Sequence, residues 1–388
     1  MASPEPIIPG TRRVVVAGFS TRAIAESAVR AGYAVASVDA FGDLDHRAAP
    51  AVALGRDLGL AYDPRTVARA ARNVPGDAVS YVSSFENQPD AVALLARGRV
   101  LWGNSPAVLR RARDPNLVAR LLRSHGFPTP EVRLRPPHSG IRSGIPRRGW
   151  LVKPRASGGG HGITPWRAKR PLRRAEYLQE HVRGVPGSVA FVADGRSAVL
   201  FACSRQLIGE PDFGASGFRY CGSILSGRTT ATFAWAEALI EVGRRIAEMF
   251  ARELHLVGIN GFDFIARDGL PFVTEVNPRH SASMELAERA FGFSVFGAHA
   301  ASFSGILPAF DLTAAQRDRS TDVIGKAVLF ARHATTLGDT RGWLENDDVR
   351  DVPHPGERIA RGNPVCTIFA RGSREQDCHA ALVRRAQR

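Results

Sequence analysis

The sequence predicts an α/β protein in three parts: a doubly wound N-terminal domain over residues 1–110, an α+β domain over residues 111–310, and a small β-rich closing region over residues 311–388. Two observations carry this. The apolar run Arg13-Val14-Val15-Val16-Ala17-Gly18, a helical stretch and a second apolar run spell a βαβ unit, which opens a parallel sheet. Further along, two strand-like runs meet at Asp268-Gly269, the signature of an antiparallel hairpin. At 388 residues the chain is long enough to bury more than one core.

In order, a Pro-rich start expected to be disordered precedes the first strand. Thr21 to Ala31 has helical spacing, Gly32 stops it, and Tyr33 to Val38 forms the second strand, ending on Asp39. Gly18-Phe19-Ser20 lacks the later glycines of a dinucleotide fingerprint and reads as a structural turn. Strands at Ala78 to Val82 and Val100 to Trp102 extend the sheet. The loop Ser83-Ser84-Phe85-Glu86-Asn87-Gln88 follows a strand's carboxyl end, where such sheets present polar groups to ligands; it could touch a substrate or start a capped helix. Asp114 to Ser124 reads as a helix, and Arg135 to Gly149, rich in Pro and Gly, as a linker. A second α/β stretch runs from Trp150 to Leu307, with a helix from Ala234 to Leu254 and strands at Gly261 to Ala266 and Pro271 to Val276. A third unit begins near Asp322, with strands at Lys326 to Ala331 and Val365 to Ala370.

Composition narrows the classes. No run of about 18 uncharged apolar residues occurs, and Met1 to Thr11 lacks the basic and apolar parts of a signal peptide, so a cytoplasmic protein without a membrane span is expected. Four cysteines, Cys203, Cys221, Cys366 and Cys378, form no CxxC pair and read as reduced structural thiols. The net charge of +15 would suit nucleic acid, but the basic residues are dispersed as single or double arginines, so small molecules are the expected partners; a homodimer is left open. Of the 52 lysines and arginines only three are lysines, Lys153, Lys169 and Lys326. A chain that uses arginine nearly everywhere keeps lysine where a compact point charge matters. Lys153 meets that description; Lys169 and Lys326 border no glycine loop and are expected to tolerate arginine.

Two constellations carry chemistry. In Trp150-Leu151-Val152-Lys153-Pro154-Arg155-Ala156-Ser157-Gly158-Gly159-Gly160-His161-Gly162 a strand delivers a lysine and a glycine-rich turn follows. Glycines let backbone N–H groups converge on one anion, so the segment is either a phosphate nest or a plain flexible loop. In Gly261-Phe262-Asp263 and Glu275-Val276-Asn277-Pro278-Arg279, Glu275 and Asn277 share a strand face and Asp263 can lie beside them across the hairpin. Three hard oxygen donors suit Mg²⁺ and leave positions for water and phosphate. Arg279 brings positive charge next to them.

A strand lysine and loop followed at a distance by Asp263 and Glu275-x-Asn277-Pro278-Arg279 resembles the ATP-grasp superfamily, and within it the biotin-carboxylase-related carboxylate-amine ligase branch. The resemblance implies a pre-ATP-grasp domain, an ATP-grasp domain and a small C-terminal β region, the last on Asp351 to Thr367. It implies ATP with Mg²⁺, or Mn²⁺ in its place, as cofactors. Lys153 would contact the phosphates and Ser157, Gly158, Gly159, Gly160, His161 and Gly162 would cover them. Gln179, Glu180, His181 and Val182 would form the hinge, with backbone groups of Glu180 and Val182 on the adenine edge. Asp263, Glu275 and Asn277 would hold the metal, and Arg279 would stabilise the transferring phosphoryl group or the acyl phosphate. Two positions depart from the family: Asn116 stands where many members have a lysine, and Ser188 stands near the usual acidic ribose ligand. The loop Gly214 to Gly222 is either a surface hairpin or the acceptor site, with Arg219 and Tyr220 as substrate-binding residues. The activity implied is amide formation from a carboxylate and an amine through an acyl phosphate, with amino-acid addition to a one-carbon carrier cofactor of methanofuran or tetrahydromethanopterin type as its narrowest form. A biotin-carboxylase-like carboxylase is the alternative enzyme, opposed by the absence of a Met-Lys-Met biotin acceptor; a basic nucleic-acid-binding protein is the alternative from another class.

Overall fold

The computed structural model describes residues 13–135, 149–167, 170–225, 236–292, 294–318 and 323–387. The Pro-rich start, most of the Arg135 to Gly149 linker, Lys169, Ala234 and Asp322 lie outside them.

The first region runs β1 (Arg13–Ala17), α1 (Arg22–Arg30), β2 (Ala34–Asp39), β3 (Ala51–Ala53), α2 (Leu54–Leu58), α3 (Pro64–Ala71), β4 (Ala78–Tyr81), α4 (Pro89–Leu95) and β5 (Val100–Trp102). Its strands form a parallel sheet in the order β3-β2-β1-β4-β5. Val14, Val15 and Val16 are buried on both faces, which is why β1 is an unbroken apolar run. Gly18 is the structural turn expected: a Cβ there would meet the Val82 side chain at 2.2 Å. The short β3 was not foreseen, since three residues carry too little pattern to stand out.

Two helices, α5 (Pro106–Ala112) and α6 (Pro115–Ser124), lead onward. Each has proline in its first turn, and Ser105 and Asp114 cap them by accepting backbone N–H bonds. A four-stranded antiparallel sheet follows, from β6 (Val132–Arg133), β7 (Trp150–Pro154), β8 (Thr164–Pro165) and β9 (Glu176–Glu180), in the order β6-β9-β7-β8.

The larger sheet takes β10 (Val185–Asp194), β11 (Ala198–Ile208), β12 (Tyr220–Leu225), then, after α7 (Ala236–Leu254), β13 (Val257–Arg267) and β14 (Leu270–Asn277). Three helices, α8 (Met284–Phe291), α9 (Val295–Ser302) and α10 (Leu312–Asp318), precede β15 (Val323–Phe330), and β16 (Thr335–Thr336), β17 (Val349–Arg350), β18 (Arg358–Ile359), β19 (Pro364–Gly372) and α11 (Glu375–Ala386) finish the chain. The order β14-β13-β10-β11-β12-β15-β19-β17 joins the C-terminal strands to the central sheet through the β12–β15 pairing. One apolar core includes Val14 and Val16 of the parallel sheet, Phe296 of α9, and Val192 and Phe201 of the large sheet, so the first two regions pack as one body. No helix among the described residues is long and apolar enough to cross a membrane. All four cysteines are free and buried, and burial pushes the Cys203 and Cys366 thiols up to about 12.

Candidate functional site

The site is built on the β13–β14 hairpin. Asp268 and Gly269 both adopt positive φ at its turn, as a two-residue connection between twisted strands requires. The register sets Asp263 directly opposite Glu275 and Asn277 opposite Gly261, so the three expected oxygen donors do converge. Gln206 donates to Asp263 Oδ1 at 3.0 Å, Arg113 Nη1 to Glu275 Oε1 at 2.5 Å, and Arg279 Nη2 to Asn277 Oδ1 at 3.3 Å. Burial first, and then the Glu275 charge, raise the Asp263 carboxyl to about 6. Burial opposes ionisation of Glu275 as well, but Arg113 and Lys153 outweigh it and hold that carboxyl below its ordinary value. Arg279 and Lys153 act on Asp263 without outweighing its burial, Asn277 as well as Gln206 hydrogen-bonds it, and Arg113 bonds Glu275. That donor set, two carboxylates and an amide, fits a hard divalent cation. Among the described residues no group of three His, Cys, Asp or Glu could hold a metal, so the amide belongs to any such set.

Lys153, on β7, is buried and faces the hairpin from the smaller sheet: its Nζ donates to Gln179 Oε1 at 3.2 Å and to Thr274 O at 3.4 Å. Gln179, on β9, also donates to Thr274 O, at 3.0 Å, so both side chains tie the small sheet to β14. The glycine loop leaves β7 beside them. Gly159, Gly160 and Gly162 have φ of 59°, 76° and 74°, a conformation that side chains resist. Gly160 lies so close under the 214–222 loop that a Cβ would fall 1.7 Å from Phe218 O, and Tyr220 N donates to Gly159 O at 3.0 Å. Ser157 O accepts from Arg113 Nη2 at 2.9 Å, while His161 is exposed.

Arg279 reaches across to the parallel sheet. Its Nε donates to Glu86 Oε1 at 3.0 Å, its Nη2 lies 2.9 Å from the same oxygen as an ion pair, and its Nη1 donates to His280 O at 3.0 Å. The loop after β4 therefore does enter the site, and Glu86, 1% exposed, is its contribution.

Arg219 Nη1 donates to Gly362 O at 2.6 Å and its guanidinium lies 4.2 Å from the centre of the Phe330 ring. Tyr220 bonds Ser223 Oγ at 2.9 Å and begins β12, so this loop roofs the glycine loop. Ser188 is buried within β10, sharing hydrogen bonds with Ser204 at 3.1 Å and Ser283 at 3.3 Å, because the strand begins at Val185, directly past the hinge. At the hinge Val182 N donates to Glu180 O at 3.1 Å and His181 N to Gly149 O at 2.8 Å; a purine edge on Glu180 and Val182 would replace the first bond. Lys326 is no surface lysine: it is buried and donates to Glu285 Oε2 at 2.6 Å, so arginine there would disturb a packed ion pair. Arg113 and Gln206 were missed. Arg113 stands just before the Asp114 cap, the one hint available; Gln206 lies mid-strand with no distinguishing signal.

A family model described as an ATP-grasp domain matches residues 112–283. Over 193 residues the chain is 22% identical to an uncharacterised protein of Methanocaldococcus jannaschii, covering 50% of this chain and 42% of that one. Rhizobium etli pyruvate carboxylase superposes on 96% of this chain with a TM-score of 0.69 and 16% identity, and the chain covers 37% of it. The chain thus spans less than half the length of these two. The L-amino acid ligase of Bacillus licheniformis superposes over 98% of both chains, with a TM-score of 0.67 and 15% identity. At such identities the likeness to solved structures is one of fold.

Proposed function

We propose, on the premise that residues 112–283 form an ATP-grasp domain, that the protein is an ADP-forming ligase joining a carboxylate to an amine. The observation that carries the proposal is the Asp263–Glu275 pair, facing each other in register with Lys153, Arg113 and Arg279 around it. Cationic side chains around paired oxygen donors suit polyphosphate with a divalent ion. On this reading Lys153 meets the phosphates, Ser157 to Gly162 cover them, and backbone groups of Glu180 and Val182 read the adenine. Asp263, Glu275 and Asn277 hold Mg²⁺ or Mn²⁺, which when bound neutralises phosphate charge.

A carboxylate is a poor acyl donor, and phosphorylation gives it a good leaving group. Transfer of the γ-phosphoryl group calls for alignment and charge balance rather than a protein nucleophile. Arg279 supplies charge beside the acyl phosphate, and the paired loops 157–162 and 214–222 exclude water so that the amine attacks instead. The narrowest form of the reading adds an amino acid to a one-carbon carrier cofactor of methanofuran or tetrahydromethanopterin type, acting in the cytoplasm as a monomer or homodimer. Likeness in length and fold to an amino acid ligase supports amide formation. Likeness to pyruvate carboxylase supports a second reading, in which bicarbonate is the carboxylate. Screening acid and amine pairs for ADP and phosphate release tests both. Release that needs an acid and an amine together supports the ligase; release with bicarbonate and no amine supports the carboxylase; no ATP cleavage with any pair rejects both.

A further inference from the structure

Two neighbouring acceptor atoms on the loop after β4 have no donor among the described residues: Glu86 Oε2 and Asn87 Oδ1, both fully buried. The assignment of the Asn87 amide is fixed by chemistry, since its other end faces a carbonyl: Nδ2 donates to Ser157 O at 3.4 Å. Glu86 Oε1 is already taken by Arg279. A buried acceptor without a donor is costly to keep, and the fold keeps two of them, a carboxylate oxygen and an amide oxygen, on consecutive residues. Both residues lie against the glycine loop: the position a Gly158 Cβ would take is 3.9 Å from Glu86 Oε1 and 4.0 Å from Arg279 Nη2, and Asn87 meets the same loop at Ser157 O. Acceptors without donors suit a ligand that has donors and no acceptor, and an alkylammonium group is that ligand.

We propose that Glu86 and Asn87 form the amine subsite and that Glu86 is a catalytic residue, receiving the acceptor's ammonium proton; this rests on the ligase reading above. Glu86 Oε2 accepts one N–H of the ammonium and Asn87 Oδ1 a second. Proton transfer to Glu86 leaves a neutral amine whose lone pair attacks the acyl-phosphate carbon held beside Arg279. The C–N bond forms, the C–O bond to phosphate breaks, and the second nitrogen proton leaves with the phosphate. Glu86 then returns its proton to solvent.

Hydroxylamine separates this role from a structural one, because it is largely uncharged near neutral pH and attacks acyl phosphates without help from a base. The full chain is given MgATP and the twenty standard L-amino acids as carboxylates, with either hydroxylamine or methylamine as acceptor, in wild type, Glu86→Gln and Asn87→Ala. The expected result is that Glu86→Gln lowers the ratio of amide to hydroxamate at least tenfold, with the deficit narrowing as pH rises toward the amine's own pKa. Asn87→Ala lowers the same ratio less. Hydroxamate formation itself reports that each variant is folded and still makes acyl phosphate. Equal losses of hydroxamate and amide, or a pH-independent deficit, would overturn the assignment of Glu86 while leaving the ligase reading intact. No hydroxamate from wild type with any amino acid would instead remove the acyl-phosphate reading for these acids, and this inference with it.

Discussion

Two carboxylates placed face to face repel, and the protein settles the conflict unequally. Arg113 and Lys153 stand on the Glu275 side, so the strain falls on Asp263, whose carboxyl is lifted to about 6 by burial and by Glu275. An acid whose pKa is higher folded than unfolded binds more protons in the folded state. Wild type therefore loses stability as pH rises from the ordinary carboxylate range to about 6, and the loss stays constant above that. Asp263→Asn carries no such penalty. Because Asp263 is only partly closed off from solvent, the expected gain is on the order of 1–2 kcal/mol at neutral pH, fading as pH falls below about 6. Urea melts at several pH values read this, and Mg²⁺ adds a second readout: it should stabilise wild type more than Asp263→Asn. A pH-independent difference between the two proteins would show that the carboxylate pair is not strained. Lys153 gives a companion case. It is buried, and its ammonium bonds Gln179 Oε1 and Thr274 O, so a larger planar guanidinium there must displace packed neighbours. Lys153→Arg should weaken ATP binding at least tenfold and cost about 1–3 kcal/mol through overpacking. Calorimetric titration with ATP checks the first, and unchanged affinity would take Lys153 out of the phosphate site.

At the scale of elements the site depends on how two loops meet. Gly160 has φ of 76° and no space for a Cβ, whereas a Cβ at Gly158 would meet nothing closer than 3.9 Å. Gly160→Ala must push the glycine loop away from Phe218, while Gly158→Ala need not move it. The expected outcome is at least a tenfold loss of ATP affinity in Gly160→Ala, with global stability changed by only about 1 kcal/mol, and a smaller affinity loss in Gly158→Ala. Equal affinities in the two variants would mean that the loop contact has no bearing on the nucleotide. The same contact marks the limit of what could be read from the sequence. The βαβ opening, the Asp114 cap and the Asp268-Gly269 turn were legible because each rests on local chemistry: an apolar run, a capping carboxylate, a turn that needs positive φ. Glu275 and Asn277 were legible because strand period two puts them on one face, and a hairpin limits where Asp263 can lie. The partners of these residues were not. Gln206 comes from β11 with no local signal, and the local signals near the other two, the Asp114 cap beside Arg113 and the position of Glu86 past a strand's carboxyl end, do not tell which distant residues they meet. The partners of Arg219 were hidden for the same reason, since Gly362 and Phe330 are more than a hundred residues away in sequence.

For the whole molecule, one buried ion cluster does what those local signals cannot, binding the three regions to each other. Arg22 of α1, fully buried, donates to both oxygens of Glu285 on α8, at 2.5 and 3.2 Å, and to Asp351 near the C-terminal strands at 2.9 Å. Lys326 of β15 takes the remaining side of Glu285, and Thr367 of β19 donates to Asp351. Burial opposes ionisation of both carboxylates, but Arg22 outweighs it for each, with Lys326 assisting, so Glu285 is held well below its ordinary value and Asp351 below its own. An acid whose pKa is depressed on folding contributes stability above the unfolded pKa, and that stability is lost as pH falls through the folded one. Removing Arg22 leaves Asp351 without its hydrogen-bonded cation and Glu285 with Lys326 and the more distant Arg289 alone. Arg22→Ala should therefore cost about 3–5 kcal/mol near neutral pH, the range for breaking a buried pair from one side. The deficit should shrink as pH drops below the ordinary carboxylate range, because protonation relieves in the variant what Arg22 neutralises in wild type. Denaturant unfolding of both proteins from neutral to mildly acid pH decides it. If the deficit were constant with pH, Arg22 would be acting through packing volume alone, and the joint between the regions would be apolar in origin despite its charges.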